Sequence, residues 1–130
     1  MKLHHFGFLS KKLNETVDTF TLLGHKIISD IIRDDIRGVD IVFLTSDTNE
    51  LIEIVSPYTE NSIVKNLIKK SNNNLYHIAY SVDDIDEKIL NLQHEGFILI
   101  DPPKPAIAFN GKKVAFLISS NVGMIELVEE

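Results

Sequence analysis

Two histidines and two glutamates recur in matching short motifs, and both residue types bind metals. His5 lies in LHHFGF and His77 in LYHIAY, while Glu53 lies in LIEIV and Glu126 in MIELV. Because the chain contains no cysteine, any metal must be held by nitrogen and oxygen. Two imidazoles and two carboxylates suit Zn, Ni, Co, Mn or Fe(II) in six-coordinate geometry, with two positions left for water or substrate. The four residues therefore predict a divalent metal site.

These motifs belong to an internal repeat with an almost constant offset. Gly24 and Gly96 each follow their histidine by 19 residues, Phe43 and Phe116 follow by 38 and 39, and the two glutamates follow by 48 and 49. One inserted residue reconciles the two halves. Coincidence among common apolar runs is the alternative, but four residue types repeating in the same order favour a true duplication.

The alternation of side chains along a strand assigns each histidine to a face. His5 shares its face with Gly7 and His77 shares its face with Ala79, whereas bulky residues occupy the opposite faces, where a helix is expected to pack. Each histidine should therefore line a cavity. His4 falls on the helix side and is expected to be structural.

The glutamates lie in strands that are otherwise apolar. Burying an ionised carboxylate there costs several kcal/mol unless a cation or strong donors compensate it. Taken singly, a strand glutamate more often faces solvent and a strand histidine more often makes a structural hydrogen bond. The repeat of all four positions favours the metal site.

Each half predicts a strand, a helix and three further strands, which is an α+β fold of two βαβββ modules. We expect one domain over 1–130, with module one at 1–57, a linker helix within 58–74 and module two at 75–130. Module one should contain strands at 3–9, 25–31, 39–45 and 50–56 and a helix at 11–23. Module two should contain strands at 75–81, 97–101, 112–118 and 123–128 and a helix at 84–95.

Turn residues mark several boundaries. Gly24 and Gly96 are suited to helix C-termini, where a positive φ is common. Asn61 or Ser62 is the expected N-cap of the linker helix. The segment DPPKPAIAFNG is too rich in proline for a central strand and is expected to be an ordered surface loop, which either covers the pocket or crosses the surface.

The composition of the chain limits the classes of partner that it is expected to bind. The formal net charge is −6 and the pI about 5.3, which gives no electrostatic reason to expect nucleic acid or an anionic membrane. The first residues, MKLHHFGFLS, lack the features of a signal peptide, and no apolar run is long enough to span a bilayer. We therefore expect a cytoplasmic protein with a small-molecule substrate.

At these motifs the chain resembles the vicinal oxygen chelate superfamily, and within it the group of methylmalonyl-CoA epimerase and glyoxalase I. The resemblance covers nearly the whole chain, through LHHFGFL, SPYTENSIVKNLIKK, YHIAYSVDDID, GKKVAFL and GMIELVE. It implies two modules that form a cupped mixed sheet around a divalent Zn, Ni, Co or Mn ion. It places the ligands at His5, Glu53, His77 and Glu126, and it implies a homodimer.

The resemblance implies an enzyme that moves a proton on a carbon beside a carbonyl or thioester. The linker and GKKVAFL are most similar to epimerases acting on acyl-CoA, many of whose bacterial members have glutamine where this chain has Glu53. The His, Glu, His, Glu quartet is also that of glyoxalase I, which acts on a thiol hemithioacetal. In either case Glu126 and Glu53 are the expected proton-transfer residues.

Two further function classes fit less well. A metal-free binding or resistance protein of this fold would not need four ligands, and an extradiol dioxygenase needs two histidines and only one carboxylate. Four basic residues could receive a substrate carboxylate or phosphate, although solvent-facing roles are the simpler expectation: Arg33, Arg37, Lys112 and Lys113.

Overall fold

The computed structural model describes the backbone of residues 1–130 and all side chains except that of residue 71. It contains nine strands, which pair in a mixed sheet, and three α-helices, as the α+β prediction required. By contacts the chain divides into two units, which we call the first unit (residues 6–75) and the second unit (residues 1–5 with 76–130). Among the described helices, none is long and apolar enough to cross a membrane.

The first unit pairs its strands in the order β2, β4, β5, β1, with β3 also paired to β4. β1 and β5 are parallel, and the other pairs of this unit are antiparallel. Strand β1 (Lys2–Leu9) enters this unit at Phe6. The remaining elements are α1 (Leu13–Leu22), β2 (Lys26–Ile27), β3 (Ile32–Asp34), β4 (Val39–Thr45), β5 (Leu51–Pro57) and α2 (Lys65–Ser71).

The second unit has the order β6, β9, β8, β7, in which β6 and β9 are parallel and the other pairs antiparallel. Its elements are β6 (Asn74–Val82), which begins in the first unit, α3 (Ile85–His94), β7 (Ile98–Pro105), a short 3₁₀ turn η1 (Ile107–Phe109), β8 (Lys113–Ser119) and β9 (Gly123–Glu129). Each unit thus has one parallel pair of strands at one end of its order, and the other strands extend antiparallel from it.

A helix covers one sheet face in each unit, and the bulky strand residues point toward it as predicted. Phe8 packs with Val17 of α1, and Tyr80 packs with Ile85 and Ile89 of α3. Ile85 is fully buried in this contact, and full burial of an isoleucine side chain contributes roughly 1.5–3 kcal/mol. Both helices end before a glycine of positive φ, 102° at residue 24 and 93° at residue 96, which confirms the predicted C-termini.

The proline-rich segment is where the predicted boundaries fail most. Instead of ending at 101, strand β7 continues to Pro105, and η1 follows it. β7 is the last strand in its unit's order, and its register with β8 shifts between Asp101 and Lys104. Prolines 102 and 103, which lack an N–H, are tolerated at an edge with such an irregularity. The first five residues of the predicted surface loop, 101–105, are therefore strand, and η1 lies in the remainder.

Two shorter boundaries also differ. The strand predicted at 25–31 is replaced by the short strands β2 and β3 with an irregular stretch between them. The linker helix begins at Lys65, later than an N-cap at Asn61 or Ser62 would allow. The Ser62 hydroxyl instead accepts a hydrogen bond from the Val64 N–H at 3.2 Å and shapes the turn before the helix.

The turn between β3 and β4 is fixed by a buried ion pair. Arg37 donates to Asp34 at 3.0 Å and is only 6% exposed, so the expectation that it faces solvent was wrong. Gly38 follows with φ of 70°, and a Cβ there would lie 2.8 Å from Thr59 Cγ2 and 2.9 Å from Ser62 Cα. Only glycine fits this approach without displacing backbone.

Gly38→Ala is therefore expected to lower the free energy of unfolding by about 1–3 kcal/mol through overpacking. Gly123→Ala is the matched control, because Gly123 has a similar φ of 74° but its Cβ would meet nothing within 4 Å. Urea denaturation of both variants measures the difference. Equal losses for the two variants would show that backbone strain alone, and not the contact at Thr59 and Ser62, explains the glycine.

Candidate functional site

Three of the predicted ligands converge within the second unit. His5 extends from β1, His77 from β6 and Glu126 from β9, and each is at most 3% exposed. The two Nε2 atoms lie 3.0 Å apart, and Glu126 Oε2 lies 3.1 Å from His77 Nε2. Glu126 Oε1 lies 3.7 Å from His5 Nε2. One ligand atom from each residue is therefore within 4.8 Å of the others.

Strand pairing brings these groups together. Glu126 is registered beside Ala79 on the parallel strand β6 and beside Phe116 on the antiparallel strand β8. Ala79 packs in a buried cluster with Ala106 and Phe116, so the small residue predicted beside His77 lies under the site. The small side chain at residue 79 thus lies next to Glu126 in the sheet.

The donor set fits a divalent cation. A proton on His77 Nε2 can be donated to the Glu126 carboxylate or to Nε2 of His5. One proton cannot make a full hydrogen bond to both acceptors. Ligands at right angles on a metal with bonds of roughly 2.1 Å lie about 3 Å apart, close to the spacings at His77 Nε2. The surroundings are buried and largely apolar, so a shared cation would compensate the carboxylate.

Two aromatic groups surround the His5 ring. Phe109 of η1 stacks on it with centroids 5.5 Å apart and an interplanar angle of 19°. His4 Nδ1 lies 2.8 Å from His5 Nδ1, and the His4 ring meets Phe109 edge-on at 5.3 Å. Within the proline-rich segment, Phe109 therefore contacts a predicted ligand.

Glu53 occupies the equivalent position in the first unit. It is 3% exposed and is registered beside Gly7 on the parallel strand β1 and beside Phe43 on the antiparallel strand β4. A small residue on one side and a phenylalanine on the other repeat the surroundings of Glu126. The buried position, unusual for a glutamate in an apolar strand, is what the sequence repeat predicted.

The basic residues considered from the sequence have other roles. Arg33 makes two hydrogen bonds to Asp40, at 2.8 and 3.0 Å, and its guanidinium lies 3.9 Å from the centre of the Tyr58 ring. The bond to Asp40 raises the pKa of Arg33 above its ordinary value. Lys112 and Lys113 are exposed. These observations agree with solvent-facing or structural roles.

Sequence reasoning did not identify His4 and Phe109 as neighbours of the site. His4 was assigned to the helix side, whereas its imidazole reaches the Nδ1 edge of His5. For His4, the available sequence signal was its place directly before His5. For Phe109, the signal was an aromatic residue in a segment that was one candidate for covering the pocket. Neither signal alone specified a contact.

Comparison with known proteins gives consistent likenesses. Residues 4–116 match the family model described as the glyoxalase/bleomycin resistance protein/dioxygenase superfamily. The mitochondrial methylmalonyl-CoA epimerase of Dictyostelium discoideum is 32% identical over 99% of this chain and 78% of its own length.

Two solved structures share the fold along nearly the whole chain. A hypothetical protein from Bacillus halodurans has a TM-score of 0.85 and 28% identity, covering 99% of this chain and 94% of that one. A variant of Streptomyces coelicolor methylmalonyl-CoA epimerase, solved with 2-nitronate-propionyl-CoA, has a TM-score of 0.82 and 20% identity, covering 100% of this chain and 97% of that one.

Proposed function

Because the chain belongs to the glyoxalase/bleomycin resistance protein/dioxygenase superfamily, we propose that it is a metal-dependent epimerase acting beside the thioester of an acyl-CoA. The convergence of His5, His77 and Glu126 on one buried point carries this proposal. The Dictyostelium relative supports the substrate class, and the S. coelicolor enzyme, which holds an acyl-CoA analogue, supports it at the level of the fold.

Four residues hold the metal in this proposal: His5, Glu53, His77 and Glu126. Glu53 is assigned by its equivalence to Glu126 in burial and strand register. Zn, Ni, Co and Mn all accept nitrogen and oxygen ligands, so the donor set does not choose between them. When bound, the divalent cation supplies Lewis-acid stabilisation of negative charge on the thioester oxygen.

The glutamates transfer the proton. One carboxylate removes the proton from the carbon beside the thioester, which breaks the C–H bond and leaves its electron pair delocalised toward the oxygen. The other carboxylate, carrying a proton, delivers it to the opposite face of the same carbon and so inverts its configuration. We assign these two roles to Glu126 and Glu53, with the direction of the reaction deciding which acts first.

Conversion of a hemithioacetal, as in glyoxalase I, is the second candidate because residue 53 is a glutamate. A single carboxylate can remove and return the proton in that reaction, so it needs only one of the two bases. A metal-free ligand-binding protein is the third class. Finding stoichiometric metal in protein purified without chelator would exclude that class.

The test is a parallel assay of methylmalonyl-CoA and methylglyoxal–thiol hemithioacetal with chelated protein reconstituted with Ni, Co, Zn or Mn. We expect epimerisation with at least one metal, none after chelation, and deuterium from D₂O at the carbon beside the thioester. Conversion of only the hemithioacetal would replace the proposed substrate. Activity on neither compound, with no metal bound, would refute the enzyme assignment.

A further inference from the structure

His4 makes a contact that proton transfer does not require. Its Nδ1 lies 2.8 Å from Nδ1 of His5, whose opposite nitrogen, Nε2, faces His77 and Glu126. The two histidines are adjacent in β1, and their rings meet at 79° with centroids 5.0 Å apart. His5 is therefore held at one ring nitrogen while the other faces the candidate ligands.

The chemistry of imidazole fixes the direction of this hydrogen bond. A histidine that binds a metal through Nε2 needs the Nε2 lone pair free, so its proton resides on Nδ1. Nδ1–H of His5 can then donate only to an acceptor, and the nearby Nδ1 of His4 accepts if the His4 proton is on Nε2. The geometry matches a ligand histidine oriented by a second, non-ligating group.

Phe109 restricts the same two rings. It stacks on His5 and meets His4 edge-on, with centroids 5.5 and 5.3 Å away. η1 is itself fixed by the Phe109 N–H to Ala106 carbonyl bond at 3.1 Å and the Gly111 N–H to Ala106 carbonyl bond at 2.9 Å. If either imidazole rotated away from the observed contact, it would collide with the Phe109 ring or lose its contact with that ring.

We propose that His4 is a positioning residue that accepts a hydrogen bond from Nδ1–H of His5 and thereby presents His5 Nε2 to the metal. The assignment rests on the proposed metal site but not on the identity of the substrate. It predicts that the acceptor at residue 4, and not the bulk of the side chain, determines how tightly the metal is bound.

Three variants test this inference with Zn²⁺ as the probe. His4→Leu removes the acceptor, His4→Asn places an amide oxygen where Nδ1 was, and His94→Leu is the control at an exposed histidine. We expect chelator competition to show Zn²⁺ affinity lower by about 10-fold to 100-fold in His4→Leu, largely restored in His4→Asn, and unchanged in His94→Leu.

Nitrogen-15 NMR of the histidine rings gives a readout that is independent of turnover. We expect the proton of His5 on Nδ1 and that of His4 on Nε2, both in metal-free protein and with Zn²⁺. A His5 proton on Nε2 in the Zn²⁺ form, or wild-type Zn²⁺ affinity in a folded His4→Leu protein, would overturn the inference. Failure of acyl-CoA turnover with both expected results intact would refute only the proposed function.

Discussion

Glu126→Gln should lower kcat for epimerisation by about 10²-fold to 10⁴-fold, the range that a positioned general acid or base contributes. The amide has nearly the volume of the carboxylate, so packing beside Ala79 and Phe116 is preserved. It cannot accept a proton from the substrate at neutral pH, and it is a weaker ligand for a divalent cation. The first loss acts on proton transfer and the second on metal binding.

Kinetics at saturating metal, together with metal content, separate the two effects. Glu60→Gln is the control, because the side chain of Glu60 is 77% exposed. Glu53→Gln should also block inversion, while deuterium exchange at the face served by Glu126 continues. A Glu126→Gln enzyme that keeps full kcat would show that another group removes the proton.

The internal repeat explains why so much of the scaffold was predictable. Position within the repeat, rather than any single motif, identified the two helix-ending glycines and the buried Glu53 and Glu126. Each duplicated residue supports the interpretation of its counterpart, so weak signals at Gly24 and Gly96 became strong when considered together. Predictions failed mainly where the halves diverge.

The failures involve pairing partners, which a local pattern does not specify. Pro102 and Pro103 were correctly judged incompatible with a central strand, but nothing local indicated that β7 would be an edge strand with an irregular register. Arg37 was assigned to solvent because its partner, Asp34, is brought near only by the turn. Such contacts depend on tertiary structure.

His4 shows a different limit of the sequence pattern. Strand alternation fixes the direction of the Cα–Cβ bond, and this placed His4 opposite His5. Two side-chain torsions then decide where the ring nitrogens lie, and Nδ1 of His4 approaches that of its neighbour to 2.8 Å. Face assignments from alternation are consequently least informative for long or aromatic residues at the start of a strand.

Removing the metal should destabilise the protein more than removing the carboxylate that binds it. Metal at 1,000 times its dissociation constant adds about 4 kcal/mol to the free energy of unfolding when it binds only the folded state. Without the cation, Glu126 is 2% exposed between the buried Ile125 and Leu127, where an ionised carboxylate is costly. In the metal-free protein, the buried position of Glu126 therefore lowers the free energy of unfolding, while it favours binding of the metal.

Glu126→Met should therefore leave the stability of the chelated protein unchanged or raise it by about 1–4 kcal/mol, as when buried ionic groups are replaced by apolar ones. The substitution removes the buried carboxylate itself, rather than a partner whose loss would leave that carboxylate uncompensated. Zn²⁺ should stabilise the wild type and not the variant, which urea denaturation with and without chelator measures. If chelated Glu126→Met instead loses several kcal/mol, the protein's own donors compensate the carboxylate, and the electrostatic case for a cation at this position fails.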